Sequence, residues 1–261
     1  MKTKFLHIAT ALLFVGFTSS CSDFLDRYPL DELSDSSFWK TENDAMMAVT
    51  DIYGCLPTWD QDEDINSDNA VHGIKWAAGN ISKGVYDPMD QSWAGSYTPI
   101  RQCNLVLEKV KDIEMSDESR KKIEGQAYFF RAFVYFNLIR SFGDVPYIDK
   151  PLNLTDVEDI TRTPREEVYA KVMADFDKAI EYLPEEWDAA NTPRVTKGAA
   201  LAMKARAALY YNNWQVAADA SKAVMDLGKY ELYDAGNTGK YQELFWEKSD
   251  GCDENILYVQ F

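Results

Sequence analysis

Between Leu56 and Gln91 the chain interleaves flat aromatic rings with groups that bond hydroxyls: Trp59, Trp76 and Tyr86 lie among Asp68, Asn69 and Asn80. This mixture points to non-covalent recognition. Indole and phenol rings offer wide apolar faces for stacking, and amides and carboxylates beside them orient a polar ligand. A plain packing role competes with this reading, in which the tryptophans pin the segment to helices beneath it. No helical or alternating period is sustained here, and Gly, Asn, Asp and Pro are frequent, so the segment is expected to be a long ordered loop. Loops of this length in a compact domain are functional or disordered, and the tryptophans argue against disorder.

Covalent chemistry has almost no candidates. Of the two histidines, His7 lies in a segment that reads as a removable leader, which leaves His72 with no nucleophile–base pattern around it. The 43 acidic residues make some close carboxylate pairs inevitable, so no glycosidase dyad follows from proximity in the sequence. No catalytic residue is assigned. A lone histidine with scattered carboxylates lacks metal-ligand spacing, and no metal or cofactor is expected. Cys55, Cys103 and Cys252 are widely spaced without a C-x-x-C pair, and whether any two of them join is left open. A net charge of −16 sets the chain against nucleic acid, because phosphates would be repelled without a basic patch.

The N-terminus reads as an address. Lys2 and Lys4 precede an apolar run from Ile8 to Phe17, followed by Thr18-Ser19-Ser20 and Cys21, the layout of a bacterial export signal with a lipobox-like end. That apolar run is about half of the roughly 20 residues a spanning helix needs. Residues 1–20 are therefore expected to be a signal peptide, with Cys21 acylated as a lipid anchor and 21–261 forming the mature domain at a net charge of −18.

Helical periods fill most of the remainder. A helix is expected from Asn43 or Asp44, as cap, to Tyr53, with Gly54 and Pro57 as stops. A second spans about 92–111, with Trp93, Tyr97, Ile100, Asn104, Leu107 and Lys111 on one row and Trp93 and Tyr97 assigned to the core. A third spans about 117–142 between Ser116 or Asp117 and Gly143, and it is apolar on nearly every side from Ala127 onward. Arg131 and Arg140 argue against a membrane span, since a mid-membrane arginine costs about 2.5 kcal/mol or more, so this helix reads as a buried spine. Thr163-Pro164-Arg165-Glu166 reads as cap, N1 proline and acidic first turn of a helix ending near Leu183. Thr196 caps another to Tyr211, and a last one runs from Trp214 to Leu227. Asn255–Phe261 looks extended, and its abrupt apolar end reads as a truncated sequence.

Val172, Phe176, Ala179 and Pro184 have the spacing of the second helix of a tetratricopeptide repeat. Arg131-Ala132 with Tyr135 also matches Arg206-Ala207 with Tyr210. Both arginines are expected to be buried and paired with a carboxylate or a carbonyl. Ala132, Ala179, Ala207 and Ala217 would allow close helix approach.

Taken in order, several pieces resemble the SusD/RagB outer-membrane lipoproteins of Bacteroidetes. They are Cys21-Ser22-Asp23-Phe24-Leu25-Asp26 with Pro29, Ser37-Phe38-Trp39 with Tyr53, and Tyr97-x-x-Ile100-x-x-x-Asn104. Ala127-x-x-x-Arg131-Ala132-x-x-Tyr135-Phe136, Phe142-Gly143-Asp144-Val145-Pro146 and Lys197-Gly198-Ala199 follow. The resemblance covers the chain but only about the first half of such a protein. It implies an all-α, tetratricopeptide-like scaffold with long ordered loops that captures a glycan or peptide and hands it to a SusC-like TonB-dependent transporter, without catalysis. Under it Trp59, Trp76 and Tyr86 become the platform for sugar rings, and Asp68, Asn69 and Asn80 the hydroxyl contacts. A helical scaffold for other envelope proteins, or an exported carbohydrate-active enzyme, are the competing readings.

Overall fold

Local chemistry starts or stops several of the described helices. The computed structural model describes residues 38–56, 93–233, 241–245 and 251–258. It divides into Met1–Trp39, where the Phe38 and Trp39 rings meet edge-on at 5.1 Å, and Lys40–Phe261, which holds the helices below.

Helix α1, Glu42–Ile52, opens on a capping box. Thr41, not Asn43 or Asp44, is the cap: its hydroxyl accepts from the Asp44 N–H at 3.3 Å, and the Asp44 carboxylate accepts from the Thr41 N–H at 2.8 Å. A 3-10 turn, Tyr53–Cys55, follows. Helix α2 is Trp93–Lys109, tightening into a 3-10 turn over Val110–Asp112. Helix α3, Asp117–Phe142, is capped by Ser116, whose hydroxyl accepts from the Ser119 N–H at 3.0 Å. Gly143 ends it at φ 70°, a conformation that side chains resist.

Helix α4 is Arg165–Tyr182, and its start differs from expectation. Pro164 occupies the cap position and has no side-chain acceptor to offer. Thr163 is instead paired with Val145 through N–H···O bonds of 3.2 and 2.9 Å, so it is not free to cap. The acceptor comes from Asp144, whose carboxylate takes the Arg165 N–H at 2.9 Å. Helix α5, Lys197–Tyr210, is capped by Thr196 as expected. Gly198 in its first turn lies beneath the Tyr230 ring, where a Cβ would collide with the phenol. Asn212, at φ 58°, turns the chain into α6, Trp214–Asp226.

The spine α3 packs against α1, α2 and α4, and α5 joins through α4 and α6. The result is all-α, as expected: among the described residues the only bridge is Val145–Thr163, and residues 251–258 run in turns and bends where an extended stretch was expected. Val172, Phe176 and Ala179 are buried together, as the repeat spacing requires, and so are Ala132, Ala207 and Ala217. Phe129 meets Phe130 and Phe176 edge-on at 5.3 and 6.1 Å. Each such phenyl contributes about 1.5–3 kcal/mol of burial.

Within this apolar interior lies a charged group. Arg131 donates from Nε and Nη2 to the two oxygens of Asp175, both at 2.7 Å, and from Nη1 to Asn104 Oδ1 at 2.8 Å. Asn104 then donates to the Ile148 carbonyl at 2.9 Å. Tyr135 donates to that carbonyl at 3.1 Å and accepts from the Ile148 N–H at 2.6 Å, while Tyr97 reaches the Pro146 carbonyl at 3.0 Å. One network thus ties α2, α3 and α4 to the segment after Gly143. Desolvation opposes the charge on Arg131, yet the two bonds to Asp175 outweigh it and hold the guanidinium protonated.

Removing one partner strands a buried charge. Asp175→Asn should lower stability by about 3–5 kcal/mol in urea unfolding, whereas the double change Arg131→Met with Asp175→Leu should recover most of that loss. Equal losses in the single and double variants would refute the account. Burial also sets a high-pH limit. It pushes the Tyr53 and Tyr97 hydroxyls up to about 12, and Tyr135 higher still. Unfolded tyrosines ionise near about 10. Above that pH the unfolded chain has shed protons that the folded chain keeps, so the stability present below pH about 10 is lost as pH climbs towards about 12. The urea midpoint should be level to pH about 9.5 and then fall steeply. Tyr53→Phe should start lower, for want of its bonds to Gln126 and Val195, and decline less.

Candidate functional site

The expected ligand contacts Trp59, Asp68, Asn69, Trp76, Asn80 and Tyr86 lie outside the described residues, as does Cys21. Leu56, at the start of that segment, and Trp93, two residues past its end, lie inside them. Leu56 closes the 3-10 turn after α1, and Trp93 opens α2.

Leu56 borders a cleft, as do Gly95 and Ser96 in the first turn of α2. Two hollows, of about 480 and 730 Å³, share Cys55, Leu56, Ser96, Phe133 and Asn137 as walls. The smaller lies between the end of α1 and the first turns of α2, where Gln102 donates to Asp51. The larger runs along α3 to α5 and is closed on one side by residues 254–257. Each volume by itself falls in the range of small-ligand sites.

Helix geometry explains why the cleft is here. At 100° per residue, Phe133, Asn137 and Arg140 stand about 200° round α3 from Arg131, Tyr135 and Leu138. The Arg131 row faces α4 and the Ile148 segment and is buried. Its opposite row has no helix over it, so Phe133 and Asn137 are half-buried and Arg140 is exposed. The spine is therefore open along one row, against the expectation of burial on nearly every side.

Trp93 and Tyr97 are packed but not sealed. Trp93 meets Phe142 edge-on at 4.9 Å and carries the Arg162 guanidinium at 5.2 Å. Arg206 corrects a second expectation. It is exposed and faces the cleft, with no carboxylate in ion-pair range among the described residues. The physical reason is that α4 offers Asp175 to Arg131, while Arg206 lines the hollow between α3 and α5. Tyr210 likewise is 55% exposed where Tyr135 is buried.

The thiols at and near the cleft are protonated or buried. Burial pushes the Cys55 thiol up to about 12, which leaves no thiolate for attack at neutral pH. Cys103, also a free thiol, is fully buried, and Cys252 is free as well. Among the described residues no three His, Cys, Asp or Glu groups gather to hold a metal ion. The sequence reading missed Phe133, Asn137 and Arg140 as cleft residues. Their spacing of four and three marks a single helical row, and the polar members of that row were the available signal.

Residues 24–209 match a family of SusD-like proteins described as starch-binding and associating with the outer membrane. The whole chain aligns at 29% identity with a SusD-like protein of Formosa agariphila, covering 53% of that relative. A crystal structure of a Bacteroides fragilis SusD-like protein superposes with a TM-score of 0.79 at 29% identity, over 90% of this chain and 47% of the other. A laminarin-binding SusD-like protein superposes with a TM-score of 0.73 at 23% identity, over 84% of this chain and 51% of the other. The chain thus spans about half the length of the relatives it matches. With Arg131, Asn104, Tyr135 and the Gly143–Pro146 turn joined in one network, and with a family match over most of its length, this chain belongs to the SusD-like family.

Proposed function

We propose that the chain is part of a cell-surface lipoprotein that captures a glycan and passes it to a SusC-like TonB-dependent transporter. The observation that carries this reading is the family match over residues 24–209, whose members are described as starch-binding at the outer membrane. The laminarin-binding neighbour supports the same ligand class. Residues 1–20 act as the export signal, Cys21 is the acylated anchor, and residues 21–261 contribute to the binding body. No helix among the described residues is long and apolar enough to cross a membrane, so attachment through an acyl chain fits the outer-membrane association of the family.

In this reading Trp59 and Trp76 stack on sugar rings, with Tyr86 beside them, and Asp68, Asn69 and Asn80 bond the hydroxyls. Binding proceeds without turnover, because stacking and hydroxyl bonding need no acid, base or nucleophile.

The full-length protein should be retarded in gels containing laminarin or starch. Trp59→Ala and Trp76→Ala should each weaken that retention at least about tenfold, the effect of losing a buried aromatic contact worth about 1.4 kcal/mol or more. Unchanged retention in both variants would remove the assigned residues. Failure of a broad polysaccharide panel to retain the wild type, with peptides retained instead, would replace glycan by peptide as the cargo. The anchor has its own test: cells fed labelled palmitate should label the wild-type protein, and Cys21→Ser should carry no label.

A further inference from the structure

Two arginines converge on the larger hollow. Arg140 stands in the last turn of α3 and Arg206 in the middle of α5, and both line the same space. Tyr210 draws them together. It sits one turn beyond Arg206 on α5, with Cβ atoms one turn apart separated by about 5–6 Å. Its ring lies 5.9 Å from the Arg140 guanidinium carbon and is braced by Phe136, edge-on at 5.4 Å. One aromatic side chain thus fixes the position of one guanidinium and shares a helix row with the other.

The charge of this place is opposite to that of the protein. The chain carries −16, yet neither arginine has a carboxylate within ion-pair distance among the described residues. Among the described residues the only acidic side chain lining the larger hollow is Glu254, one carboxylate against two guanidinium groups, and it accepts the Tyr233 N–H at 2.6 Å. At physiological salt, charges interact over about 8 Å, so acidic groups elsewhere on the surface do not cancel two guanidinium groups here. Around them stand a half-buried phenyl, Phe133, and the amide of Asn137.

We infer that the α3–α5 hollow is an anion subsite for an acidic sugar, in which Arg140 and Arg206 hold a uronate carboxylate or a sulfate ester while Phe133 covers an apolar ring face. Guanidinium forks match both oxyanions through paired N–H···O bonds, and an aromatic wall suits a pyranose better than a free inorganic ion. This assignment rests on the glycan-capture reading and adds to it the charge class of the cargo. A neutral glucan would leave both arginines unused.

The full-length protein should bind trigalacturonate, or a sulfated galactose disaccharide, measured by calorimetry in low salt. The methyl ester of trigalacturonate keeps the rings and removes the charge, and it should bind at least about tenfold more weakly. Arg140→Gln and Arg206→Gln should each lower affinity for the charged sugar about tenfold, and the double variant should bind it no better than wild type binds the ester. Arg206→Lys should restore little, because a point charge lacks the fork. Both side chains are exposed, so these variants should keep the wild-type urea midpoint. Stronger binding of the carboxylated or of the sulfated probe identifies which oxyanion is held. The inference is overturned if the ester binds as tightly as the acid, or if the double variant binds like wild type. Should laminarin or starch be retained while both charged sugars are ignored, this subsite falls and the glycan-capture reading stands. Should no sugar bind at all, both fall.

Discussion

A positive charge inside an apolar helical stack has to be answered from three sides, and the rest of this fold is arranged around that requirement. Arg131 sits where Phe129, Phe130 and Phe176 are also packed, in surroundings that disfavour a bare guanidinium by several kcal/mol. Asp175 supplies the countercharge from α4 and Asn104 an oxygen from α2, each with one geometry that satisfies the fork. Helices α2, α3 and α4 could slide past one another at modest cost if only methyl and phenyl groups met. A bidentate pair at 2.7 Å does not tolerate a shift of a helical turn. The ion pair therefore acts as a register pin more than as a source of net stability.

The same pin decides where the molecule is open. With Arg131 turned towards α4, the residues two positions on must face the other way, so Phe133, Asn137 and Arg140 form an opposite row. The Ile148 segment closes over the Arg131 side through Tyr135 and Asn104, and Gly143 makes the reversal that brings it there. Asp144, next in sequence, caps α4. A short run, Phe142 to Pro146, thus ends one helix, starts another and supplies the carbonyl that receives Tyr97. The cleft is what remains uncovered once these demands are met, and Leu56, where the segment with the candidate ligand contacts begins, borders it.

Much of this was readable from residue types. Helix spans came through within about two residues, since Ser116, Thr196, Gly143 and Asn212 carry strong local signals. The misassigned caps have two causes. At Thr41 a neighbouring Asp44 looked equally able, whereas the Arg165 N–H finds its acceptor in Asp144, twenty-one positions away. Non-local partners leave no local trace. Asp175 is different: it lies three positions after Val172 and one before Phe176, on a row otherwise apolar, and a carboxylate there was a legible answer to the buried Arg131. The candidate contacts from Trp59 to Tyr86 had only composition to mark them, because their segment has no period from which a facing direction could be deduced.

The two look-alike segments show what a repeat signal does and does not transmit. Arg131-Ala132 with Tyr135 and Arg206-Ala207 with Tyr210 share their alanine role: Ala132 and Ala207 are both fully buried, as close helix approach requires. The arginines and tyrosines diverge completely, because small residues report the helix on which they sit, whereas long polar ones report the neighbour they meet. Helix α3 has α4 beside it with a carboxylate in place. Helix α5 has the open hollow, so its arginine meets no carboxylate among the described residues and its tyrosine turns outward to carry Arg140. A side chain that is a structural pin in one layer is thereby released for binding in the next, with no change in residue type.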